Sequence, residues 1–85
     1  MSLDYSPHFK RQYKKLPLAT RNLAKKKLDI FRANPFDNVL STHKLHGILD
    51  DFWAFSVDSH YRIVFDFVSD DTARLHRIGD HTIYQ

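Results

Sequence analysis

The 85-residue chain has no cysteine, no glutamate, only two glycines and only three prolines. Without cysteine there is neither a disulfide framework nor a thiolate metal site, which points to a reducing cytoplasm. No apolar run approaches the length of a membrane span, and the opening MSLDYSPHFKRQ lacks the hydrophobic core of a signal peptide. Gly47 and Gly79 stand far apart, so a glycine-rich phosphate loop is excluded. There are no internal repeats and no low-complexity segments.

What is present suits one small folded unit, a single domain over residues 1–85 with no room for a second core. The chain is 42% hydrophobic and 14% aromatic, and buried rings remove much apolar area from water in a small core. The net charge of +3 is unevenly spread. Residues 1–34 carry nine Lys/Arg against Asp4 and Asp29, a balance of +7, whereas residues 35–85 carry four against eight Asp, a balance of −4. The basic half suits an anionic partner such as RNA, with Lys10, Lys14, Lys25 and Lys26 as candidate contacts; the plainer reading is a solvated helix face.

Leu3 to Tyr5 reads as a short strand, and Ser6-Pro7 as a helix start, a hydroxyl cap followed by proline at the first helical position. Phe9, Tyr13 and Leu16 then form one apolar stripe. A second helix follows Pro17 and stops at Asn34-Pro35, giving a helical hairpin. Beyond it, FWAFSVD, YRIVFDFV and TARLHRI are aromatic and β-branched and read as strands, with turn-like spacers between them. The expected architecture is α+β: an N-terminal antiparallel helical hairpin packed on one face of a small, mainly antiparallel sheet. Strand alternation places Tyr61, Ile63, Phe65 and Phe67 toward the helices and Arg62 on the open face. In the last strand, simple parity groups Arg77 with Ala73 and Leu75. Only a bulge or the strand's end turns it toward Arg62.

Six histidines raise the question of metal. His43-x-x-His46 and His76-x4-His81 have loosely suitable spacing, but no cysteine or acidic residue completes a ligand set, so no metal and no cofactor are expected. Asp58-Ser59-His60 has the residue types of a serine triad, yet neighbours in a turn diverge. His43, Lys44, His60, Arg62, Arg77 and His81 remain. Imidazoles suit proton transfer near neutral pH, and arginine suits the negative charge that develops on a phosphate under attack by a 2′-hydroxyl. Such a set cuts RNA without metal if it converges. The plainer alternative is surface histidines and an Arg62 paired to a cross-strand aspartate.

The ordered segments FKRQYKKLP, NPF, HKLHG, FWAFSVDSHYRIVFDF and LHRIGDHTIY together resemble the RelE/ParE toxin superfamily over nearly the whole chain. The resemblance implies the toxin half of a toxin–antitoxin pair, neutralised by a cognate antitoxin protein. RelE-like members cut messenger RNA in the ribosomal A site, whereas ParE-like members share the fold but poison gyrase. Arg62 matches the phosphate-binding arginine of the family's tyrosine-arginine strand. Arg77 and His81 match the terminal arginine and histidine of the YafQ-like and YoeB-like branches, with His81 as proton donor to the leaving oxygen. Tyr84 falls near a terminal aromatic that stacks on a base. His43 and Lys44 match the basic pair before the family's glycine. YafQ-like members carry a histidine at the position of Ser56 and an aspartate at that of His60, and the YoeB-like glutamate has no counterpart here. The resemblance therefore leaves the general base open among His43, His60 and Lys44.

Overall fold

The computed structural model describes residues 1–47 and 51–80. The elements are β1 (Ser2–Tyr5), α1 (Pro7–Lys14), α2 (Leu18–Ala33), a 3-10 turn at Asn38–Leu40, β2 (His43–Lys44), β3 (Trp53–Ser56), β4 (Arg62–Ser69) and β5 (Thr72–Gly79).

Ser6 starts α1 as the sequence anticipates. Its backbone is extended, its hydroxyl accepts a hydrogen bond from the Phe9 N–H at 3.0 Å, and Pro7 fills the first helical position. Phe9 is buried, and Tyr13 and Leu16 pack half-buried against the core. Pro17 precedes α2 without a side-chain cap, and its carbonyl accepts from Arg21. Helix α2 buries Ala24, Leu28 and Phe31, then ends where Asn34 turns extended before Pro35.

The five strands form one sheet in the order β1-β5-β4-β3-β2. Strands β3, β4 and β5 make the expected meander, and β2 pairs antiparallel with β3. The opening strand adds a parallel pair: β1 runs beside β5, with Tyr5 level with Leu75. Beneath the helices lies the aromatic core. Phe31 stacks on Phe55 with centroids 4.5 Å apart and meets Phe65 edge-on at 4.7 Å. Ile63, Phe65, Ala73, Leu75 and Ile78 fill the same layer, and Tyr61 and Phe67 pack against it from β4 and its approach.

Along β5 the alternation is broken. Val64 pairs with Arg77 while Phe65 pairs with Leu75, so His76 is an extra residue, a β-bulge. The reason lies at the neighbouring edge. Strand β1 ends opposite Leu75 and the chain turns into α1, so beyond that point β5 has no strand partner on this side among the described residues. The Ser6 cap and helix α1 supply hydrogen bonds there. The Ser6 N–H donates to the Leu75 carbonyl at 3.0 Å, the Ser6 hydroxyl donates to the His76 carbonyl at 2.9 Å, and the Ile78 N–H donates to Gln12 Oε1 at 2.9 Å. The bulge lets Leu75 and Ile78 both reach the helical core.

Candidate functional site on the open face of the sheet

Directly paired residues in a sheet share a face. Arg77, level with Val64, therefore stands on the face away from the helices, as do Arg62 and Asp66. Arg62 is level with Gly79, two residues from Val64, which makes Arg62 and Arg77 diagonal neighbours, about 7–8 Å apart at the backbone in a regular sheet. The bulge at His76 is the feature that brings them together. Beside them the face has an apolar floor: Val64, level with Arg77, and Ala54, level with Val64 on β3, are buried yet belong to no part of the helix-side core.

The residues around this floor are held by specific bonds. Arg62 donates from Nη1 to the carbonyls of Asp58, at 2.6 Å, and Tyr61, at 3.2 Å, which fixes one arm of its fork against the preceding turn. That turn is organised by Asp58, whose Oδ1 accepts the N–H groups of His60 and Tyr61, both at 2.8 Å. Partial burial pulls the Asp58 carboxyl upward, but those two bonds and the positive charges of His60 and Arg62 outweigh it and hold the group below its usual range. On the next row, the His76 imidazole meets the Asp66 carboxylate at 2.8 Å and takes the edge of Phe52 at 4.9 Å. Arg74 reaches Asp4 across the β1–β5 pair at 3.7 Å. The cross-strand carboxylate Asp66 is thus engaged by a histidine.

The other candidates divide. His43 is level with Ala54 and so joins the open face; its Nδ1 lies 3.0 Å from the Ser41 carbonyl, which as an acceptor requires the proton on Nδ1 and leaves Nε2 free in the neutral ring. Lys44 is level with Trp53, on the opposite side of this short strand. Gly47, which closes the HKLHG stretch, has φ of 80°, a conformation that favours glycine. His60 is exposed in the turn beside Arg62. His81 and Tyr84 lie outside the described residues. Lys10, Lys14 and Lys25 rim a groove of about 360 Å³ floored by Tyr5, Phe9, Tyr13 and Leu28, in the helical layer across the sheet from the arginines; Lys26 is exposed on α2 but does not line it. Among the described residues no group of three or more His, Cys, Asp or Glu is placed to hold a metal ion, and no helix is long and apolar enough to cross a membrane.

Nothing in the sequence alone joins Asp66 to His76. Both residues fall on the polar parity of their strands, which is a usable signal once the β4–β5 register is known.

No protein-family model matches the sequence, and no curated protein matches it. Solved structures do match in fold. A YoeB/ParE toxin from Agrobacterium tumefaciens superposes with a TM-score of 0.80 at 13% identity, covering 95% of this chain and 99% of that one. A copper-bound mutant toxin from Helicobacter pylori gives 0.79 at 23% identity, covering 100% and 99%. YafQ from E. coli gives 0.76 at 20% identity, covering 98% and 96%. The chain therefore has the fold of the YoeB/ParE and YafQ toxins, as its resemblance to the RelE/ParE superfamily implied.

Proposed function

We propose that this protein is the toxin of a type II toxin–antitoxin system and a metal-independent, ribosome-dependent messenger RNA endoribonuclease. The observation that carries the reading is the bulge at His76, which sets Arg77 beside Arg62 on one open face. Two guanidinium forks beside a buried apolar floor suit a phosphate whose charge grows as a 2′-hydroxyl attacks. His81 protonates the leaving 5′-oxygen, and the attacking hydroxyl loses its proton to a base, with His43, His60 and Lys44 as the candidates carried by the family resemblance. Of these, His43 on the open face and His60 beside Arg62 have support from position. Tyr84 stacks on a substrate base.

Lys10, Lys14, Lys25 and Lys26 hold ribosomal RNA through phosphate contacts that weaken with salt. Their separation from the arginine face supports a division of labour, with one face for the message and the other for the ribosome. The cellular setting is the cytoplasm. A cognate antitoxin is the protein partner; E. coli YafQ, which shares this fold, has been solved in a toxin–antitoxin complex with DinJ.

The test is induction of the chain in cells followed by mapping of message ends on and off ribosomes. Fragments ending in 2′,3′-cyclic phosphate, confined to ribosome-bound message, are expected. Broken chromosomal DNA with intact message would instead make the protein a ParE-like gyrase poison, and harmless expression would make it an inactive, antitoxin-binding relative.

A further inference from the structure

Resting on the nuclease reading, we infer that His76 is the general base of the reaction and that Asp66 is its positioning residue. The family resemblance assigns no role to either. His76 is the bulge residue itself, adjacent in the chain to Arg77 and on the same open face. An ionised carboxylate only accepts, so the 2.8 Å contact with Asp66 places an imidazole proton on Nε2 and, in the neutral ring, leaves Nδ1 as the lone-pair nitrogen. The ring is further held by the edge of Phe52 at 4.9 Å, and its carbonyl by the Ser6 hydroxyl at 2.9 Å. With 28% of its side chain exposed, the ring is held in place without being fully enclosed.

Position favours it over the three candidates of the resemblance: Lys44 stands on the other side of its strand, His60 lies in the turn beyond the Arg62–Gly79 row, and His43 is distant. From β5 to β2 is three strand spacings, about 14 Å at the backbone, whereas His76 neighbours Arg77 directly. In-line displacement needs the proton acceptor and the proton donor on opposite sides of phosphorus. His76 stands on the Asp66 side of Arg77, at the end of the row away from Gly79 and Arg62. The proton balance is simple. The 2′-O–H bond breaks and its proton passes to Nδ1, the 2′-oxygen bonds to phosphorus, and the 5′-oxygen leaves with a proton from the acid. A structural ion pair is the competing account, but partly exposed pairs contribute little to stability.

The experiment is single-turnover cleavage of a ribosome-bound message by the wild-type protein, His76→Gln and Asp66→Asn across pH, with a 2′-deoxy site as control. Gln keeps an N–H for Asp66 but accepts no proton. The charged groups that face His76 are Asp66 from β4, Arg74 and Arg77 from β5, Asp4 from β1 through Arg74, and His43 on β2 beyond Ala54. Wild-type rate should rise with pH as the base deprotonates. His76→Gln should lose at least about 100-fold and lose that rise, with ribosome binding and thermal melting retained. Asp66→Asn should lose less and displace the rise. Wild-type rates in His76→Gln, or an unchanged rise in both variants, overturns the assignment while leaving the nuclease standing. If His76→Gln melts early, the Asp66→Asn profile decides alone, and an undisplaced rise overturns the proposal. A wild-type protein that cuts nothing removes the nuclease reading and the base with it.

Discussion

The two faces of strands β4 and β5 are built from alternate residues of the same segments, yet they differ in kind. Toward the helices stand Ile63, Phe65, Ala73, Leu75 and Ile78, all essentially inaccessible, closed by Phe31. Away from them stand Arg62, Asp66, Arg74, His76 and Arg77 around a small floor of Ala54 and Val64. The first face holds the fold by removing apolar area from water, where each ring is worth several kcal/mol. The second gains little stability from its charges, because half-exposed pairs are screened. Its residues are therefore the ones whose replacement should change chemistry while the fold survives.

The comparison breaks most severely at Phe31. Phe31→Ala removes the ring that stacks on Phe55 and meets Phe65 edge-on and should cost about 3–5 kcal/mol of stability, read as a fall in urea midpoint. Next comes the open face. Arg62→Ala should slow ribosomal cleavage by about 10²–10³-fold, with thermal melting little changed, because it removes a donor to the developing phosphate charge. A smaller effect joins the two faces at Ser6. Ser6→Ala deletes the helix cap and strips the His76 carbonyl of its donor, so stability should fall by about 1–2 kcal/mol. Cleavage should fall too, because the bulge that aims Arg77 is loosened.

The smallest effect is expected at Asp58. Its carboxyl sits below the ordinary value in the folded protein, so the turn it organises is fully supported above the unfolded value, near pH 4. That contribution is lost as pH falls below it through the folded value. In Asp58→Asn the slope of stability against pH in this acid range should flatten relative to wild type, as followed by urea titration.

Much of this architecture was legible in the residues. Ser6-Pro7, the Phe9-Tyr13-Leu16 stripe and the Asn34-Pro35 stop mark the helices through local chemistry, and Ile63 and Phe65 declare the buried face of β4 by alternation. The parallel pairing of β1 with β5 was not legible, since a four-residue strand carries no signal of its partner. Nor was the bulge, which depends on where β1 stops and on Ser6 and Gln12 meeting β5, contacts 66 or more residues apart in the chain. For the site this meant that Arg62 was placed on its face from sequence, while Arg77 needed the three-dimensional register. Asp66 and His76 escaped because their meeting is a consequence of that register.

The central claim is that Arg62 and Arg77 bind one phosphate together, and a double-mutant cycle tests it most directly. Single-turnover cleavage of ribosome-bound message would be measured for Arg62→Ala, Arg77→Ala and the double variant. Two forks on one phosphate should be strongly non-additive, the double variant being little slower than the worse single one. Losses that simply multiply, or an Arg77→Ala that cuts like wild type, would contradict a shared site.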